Sequence, residues 1–180
     1  QLRKPFFPNK SILKIQRQIN NIIRSGQLTL GKNVKMFEAD FAKYFHMKYA
    51  VAVSSATAGL HISLLSLNIK KDDEVIVPAK TFISSANAAL YCNAKPIFCD
   101  VDESTFQLDP SKIERLITKK TKAIIPVHLG GNICDMQKII KIAKKYKLSI
   151  VEDTAHAHGS TLNGKFAGTF GEIGVFSFYP

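Results

Sequence analysis

Residues 123–153 read AIIPVHLGGNICDMQKIIKIAKKYKLSIVED, and this stretch decides the fold. Its ends are short strands, 123–127 apolar throughout and 149–152 with three of the four residues before Glu152 apolar, while 132–146 between them has the length and pattern of a helix. A strand whose successive residues are all apolar has both faces buried, as parallel strands covered on each side do. Joining two such strands takes a helical crossover of this length. The alternation continues outward in both directions. Strands are predicted over 49–53, 74–77, 95–100 and 174–178 as well, and helices over 57–67, 84–91 and 110–117. The expected fold class is therefore α/β, a mostly parallel sheet with helices on both faces.

Upstream of residue 49 the pattern differs. Residues 11–24 place Ile12, Leu13, Ile15, Ile19, Ile22 and Ile23 at helical spacing and stop at Ser25-Gly26; residues 33–45 set Val34, Phe37, Phe41 and Phe45 along one face. The expected organisation is an N-terminal arm with two helices over 1–48, followed by an α/β domain over 49–180, with no repeat, low-complexity tract or linker. Gln1 stands where an initiating Met would, so this end is expected to be trimmed or processed. Residues 1–10 hold no apolar segment of the kind a secretory signal needs.

The bulk numbers narrow the classes. With 46% hydrophobic and 22% charged residues in 180, the chain has a core and is not disordered. No apolar run approaches the ~20 residues of a membrane helix, so no membrane partner is expected. Cys92, Cys99 and Cys134 are odd in number, widely spaced and without a Cys-x-x-Cys pair. That disfavours a disulfide framework or a zinc site and fits a reducing cytoplasm. Cys99, inside an apolar strand pattern, reads as a small core residue. The net charge of +11 suggests either a polyanionic partner or lysine-rich solvated helix faces. Lys138, Lys141, Lys144, Lys145 and Lys147 crowd one helix, arginine is scarce, and no aromatic residues interleave with the lysines. The solvated-face reading therefore prevails over nucleic acid.

In a parallel sheet, ligands bind beyond the carboxyl ends of the strands. Polar residues gather at those ends here: Ser54-Ser55-Ala56-Thr57, Thr81-Phe82, His128, Asp153-Thr154-Ala155-His156 and Ser177. The start of the helix at 57–67 is either an anion pocket suited to phosphate or a plain N-cap by Ser55 or Thr57. Asp153, delivered by an apolar strand, needs a cationic or strong donor partner. A protonated pyridine nitrogen, as in pyridoxal 5'-phosphate (PLP), would serve, and so would a metal ion or a helix start. His156 bonds a ligand oxygen or packs; the His156-x-His158 pair lacks the companions of a zinc site. Phe82 stacks on a flat ring or belongs to the core. The hydroxyl of Ser177 wants a phosphate oxygen or a neighbouring carbonyl.

Six segments, in this order, carry a resemblance that no single motif carries: 55–61 (SATAGLH), 77–82 (VPAKTF), 94–102 (AKPIFCDVD), 123–130 (AIIPVHLG), 151–159 (VEDTAHAHG) and 176–180 (FSFYP). Across nearly the whole chain they resemble the DegT-type sugar-nucleotide aminotransferases. The resemblance implies the large PLP-binding domain of an aspartate-aminotransferase-like fold, here truncated, with its small C-terminal domain absent. It implies Ala56 and Thr57 at the PLP phosphate with Ser177 alongside, and Phe82 stacked on the ring. Asp153 would pair with the pyridine nitrogen, and His156 would lie near the ring hydroxyl. Two departures are noted: many members have Gly at the place of Ala56 and Gln at that of His156. The Schiff-base lysine is expected just beyond Pro180; neither Lys80 nor Lys165 occupies its motif position, so the chain as it stands is expected not to complete transamination. The implied reaction moves an amino group, with glutamate as donor, to a nucleotide-linked keto-sugar in a homodimer. The alternatives are a PLP-dependent sugar dehydratase on the same scaffold, with histidine in place of the lysine, and a non-catalytic nucleotide- or nucleic-acid-binding α/β domain.

Overall fold

A computed structural model describes residues 6–179. Pro180, the end of the last motif, and residues 1–5 of the arm lie outside the described residues. Two compact units divide the chain between Ala52 and Val53. The first holds α1 (Asn9–Ser25) and α2 (Lys32–Tyr44). On α2 the rings of Phe37, Phe41 and Phe45 follow one another with centroids 5.6 and 4.6 Å apart, the outcome of i, i+4 spacing on one helix face.

The second unit is a five-stranded sheet, every adjacent pair parallel. Its strands are β1 (Glu74–Pro78), β2 (Lys95–Cys99), β3 (Thr121–Ile124), β4 (Ser149–Asp153) and β7 (Ile173–Val175), in the order β2-β1-β3-β4-β7. A two-residue hairpin, β5 (Thr161–Leu162) and β6 (Lys165–Phe166), precedes β7. Alternate residues of each strand feed two separate cores. Val75, Val77, Ala123, Ile125, Val151 and Val175 face α3 (Ala56–Ser66) and α4 (Ser84–Tyr91). Ile76, Ile124 and Ile150 face α5 (Met136–Tyr146) together with Leu108 and Ile113. Both faces of the parallel sheet are thus covered, as the apolar runs require.

Four sequence expectations are corrected. No strand forms over 49–53; Tyr49 and Val51 are 74% and 77% exposed. Period-2 alternation supplies a face but not a neighbouring backbone, and a strand exists only where one is present. Residues 110–117 form two short 3-10 turns, Pro110–Lys112 and Glu114–Leu116, rather than a helix. The helix expected from 132 starts at Met136, because the Asp135 side chain caps it by accepting from the Lys138 N–H. The last strand ends at Val175 and not at 178, leaving Ser177 beyond the ladder.

Candidate functional site

Asp153 closes β4 and is 5% exposed. Parity places it on the α3–α4 side with Val151, and there its Oδ2 accepts a hydrogen bond from the Ser85 hydroxyl at 3.1 Å. Its Oδ1 accepts from the Ala155 N–H at 3.2 Å. Among the described residues no lysine or arginine pairs with it. Burial raises its carboxyl above the ordinary value, and the Ala155 N–H and Ser85 hydroxyl only partly offset that.

The start of α3 lies close by. Ser55 caps it, its hydroxyl accepting from the Ala58 N–H at 3.1 Å. The Gly59 N–H reaches the Ser55 carbonyl at 2.9 Å. That leaves the N–H groups of Ala56 and Thr57 without hydrogen bonds among the described residues, at the positive end of the helix dipole. The Ser55 cap therefore leaves two amides of the first turn able to donate. The Thr57 and Ser84 hydroxyls are 2.7 Å apart, and those of Thr81 and Ser85 are 3.2 Å apart. Two adjacent serines on the first turn of α4 thus join the start of α3 to Asp153. Gly59 lets α3 approach β7: a Cβ there would lie 2.8 Å from Val175 Cγ1.

Val175 is the register partner of Asp153, which puts Ser177 two residues further along the same edge. Its Oγ accepts from the Tyr179 N–H at 3.4 Å, and no hydrogen bond joins it to Thr57 or Asp153 among the described residues. Phe82 sits just before α4 with 72% of its surface exposed, so it is not a core residue. His156 is exposed, its Nδ1 accepting from the Gly130 N–H at 3.4 Å, which leaves Nε2 as the ring's donor. Lys80 and Lys165 are engaged elsewhere, their Nζ atoms 3.3 Å and 5.0 Å from the ring centroids of Phe106 and Phe170.

Sequence reasoning named Thr81 only as a polar residue at a strand end and passed over Ser84 and Ser85, small residues that looked like ordinary helix-start composition. It also passed over Glu152, which is wholly buried on the other face of β4. The signal available was the Glu-Asp pair itself: two successive acids on a fully buried strand must each find donors on opposite faces.

These residues meet the demands of PLP on their own geometry. An uncompensated buried carboxylate suits a pyridinium, a helix start with two free N–H groups suits a phosphate, and an uncovered aromatic ring at a strand-to-helix loop suits a flat heterocycle. Fold and site together define the large domain of a PLP enzyme with the aspartate-aminotransferase-like fold.

Residues 10–180 match the DegT/DnrJ/EryC1/StrS aminotransferase family, and the chain belongs to it. It is 50% identical over 149 residues to the GDP-perosamine synthase of Escherichia coli O157:H7, covering 83% of this chain and 41% of that protein. To the dTDP-3-amino-3,6-dideoxy-alpha-D-galactopyranose transaminase of Aneurinibacillus thermoaerophilus it is 44% identical over 165 residues, 92% of this chain and 46% of that one. Spr1654 of Streptococcus pneumoniae, solved in its PLP form, superposes with a TM-score of 0.90 at 33% identity, over 97% of this chain and 47% of that one. The chain spans about half the length of the relatives it matches. The cofactor of the family is pyridoxal 5'-phosphate.

Proposed function

We propose that the full-length protein carrying this chain transfers an amino group from a donor such as glutamate to a keto group on a nucleotide-linked sugar, in polysaccharide, glycan or antibiotic-sugar biosynthesis. The names of the relatives support the substrate class. The observation that carries the reading is Asp153, a residue 5% exposed whose carboxyl burial raises above its ordinary range, with no lysine or arginine paired to it among the described residues.

In this reading the free N–H groups of Ala56 and Thr57 receive the cofactor's phosphate, with the Thr57 and Ser177 hydroxyls as further donors. Asp153 would hold the pyridine nitrogen, Phe82 would stack on the ring, and His156 would hydrogen-bond its oxygen. When bound, PLP supplies an electron sink for the charge left on a carbon that loses its proton. Ser85, fixed by Thr81, keeps the Asp153 carboxylate aimed and limits water around it. A diphosphate-bearing substrate would draw on the positive charge of the chain, +11 overall. The apolar residues exposed on α3 and α4, among them Ile62, Leu65 and Leu90, support a homodimer.

The test uses the full-length protein with GDP- and dTDP-linked keto-sugars and glutamate, following 2-oxoglutarate release, alongside fluorescence titration with PLP. Asp153→Asn should lower kcat/KM by about 100-fold or more, since loss of one partner of a buried charge pair costs a few kcal/mol. Thr57→Val should weaken PLP binding. Wild-type turnover retained in Asp153→Asn would remove the assignment.

A further inference from the structure

Glu152, next to the proposed cofactor acid, does nothing in that reading, yet it is among the most fully satisfied side chains in the fold. It is 0% exposed, and parity points it away from Asp153, toward the α5 side of the sheet. Its Oε1 accepts from the N–H groups of Phe170 and Gly171 at 2.6 and 2.7 Å. Its Oε2 accepts from the Gly168 N–H at 2.8 Å and lies 2.9 Å from His128 Nε2. His128 Nδ1 accepts from the Cys134 N–H at 3.2 Å, so the ring hydrogen sits on Nε2 and is donated to Glu152. The backbone of His128 then reaches the site, its N–H donating to the Asp153 carbonyl at 3.0 Å, while the Asp153 N–H donates to the Pro126 carbonyl at 2.9 Å.

Three of the four amides over 168–171 therefore end on one carboxylate. That loop feeds β7, a strand of only three residues, which carries the chain on to Ser177. So short a ladder cannot hold its own register firmly, and the loop's anchorage must do so. Core packing alone would not select this arrangement, since an apolar side chain would fill the space and leave three backbone donors unpaired.

We propose that Glu152 is a positioning residue of the cofactor site. Through His128 and the 168–171 loop it fixes where the Asp153 carboxylate and the Ser177 hydroxyl stand relative to one another. The inference rests on the PLP reading given above. It also makes the order of donors around the carboxylate matter, not merely its volume.

The experiment compares Glu152→Gln, His128→Leu, His128→Gln and Asp153→Asn in the full-length protein. Melting temperature is measured on the apo-protein, and PLP affinity by fluorescence titration well below each melting temperature. Glu152→Gln sets an amide N–H against backbone N–H groups and should raise the PLP Kd about tenfold or more, as should His128→Leu. His128→Gln presents a donor to Glu152 and an acceptor to Cys134 as the ring does, and should stay within about threefold of wild type. If Glu152→Gln does not fold, His128→Leu carries the comparison. A fall in melting temperature with Kd unchanged in both disruptive variants, while Asp153→Asn binds PLP weakly, overturns the positioning role and leaves the PLP reading standing. An unchanged Kd in Asp153→Asn overturns both.

Discussion

Asp153, the proposed partner of the cofactor's ring nitrogen, is a carboxyl that is costly to bury. Its carboxyl is held above the ordinary 3.8, chiefly by desolvation. A folded value raised above the unfolded one means the protonated form is favoured by folding. The associated stability is present below pH 3.8 and is lost as pH rises through the raised folded value. Above that raised value the apo-protein bears the full penalty. Asp153→Asn removes it, because the amide oxygen can accept from the Ala155 N–H while the Ser85 hydroxyl turns to accept from the amide. The apo variant should melt above wild type at pH values above the raised one, with the difference vanishing near pH 3. Calorimetry on the two apo-proteins across that range checks the sign. The same substitution is expected to ruin activity, so stability and function part at one atom. Asp153 was legible in the sequence because an apolar run ends on it. Glu152 was not, because one residue earlier the side chain belongs to the opposite layer, and its partners come from positions 128 and 168–171, which no local pattern joins.

At the scale of elements, what the sequence disclosed was whatever burial alone determines. The strands at 74–78, 95–99 and 149–153 and the helix Ser84–Tyr91 were readable from apolar runs and periodicity. Where a backbone group was needed for something else, the reading slipped. Residues 132–135 look helical, yet the Cys134 N–H is committed to His128 and Asp135 to capping, so the helix waits until Met136. The end of the sheet depends on close approach. A Cβ on Gly174 would lie 2.1 Å from the Gly168 carbonyl oxygen and 2.5 Å from its Cα, both backbone atoms that cannot swing aside. Gly174→Ala should therefore cost about 3 kcal/mol or more. Gly59→Ala meets side-chain atoms, tightly at Val175 Cγ1 and in ordinary contact at Val53 Cγ2, and should cost about 1–2 kcal/mol. Chemical denaturation of the full-length variants should reproduce that order; equal costs would mean that β7 is free to move.

Taken as a whole, the second unit keeps its thiols out of reach on both sides of the sheet. Cys92 lies in the α3–α4 core, and Cys99 and Cys134 lie in the α5 core. Burial pushes Cys99 up to about 11 and Cys134 up to about 12. Mass-spectrometric mapping after iodoacetamide treatment at neutral pH should find Cys99 and Cys134 unmodified until denaturant reaches the unfolding transition. Labelling of Cys134 alone in the native protein would show the His128 side opening independently. None of the described helices is long and apolar enough to cross a membrane. The Ser84-Ser85 pair has a consequence at this scale too. One hydroxyl meets Thr57 and the next meets Asp153, so the span between the two grips is set by a single peptide unit in one helical turn. In the PLP reading that makes the first turn of α4 the common support of the phosphate and ring-nitrogen contacts, so a displacement of that turn would move both together.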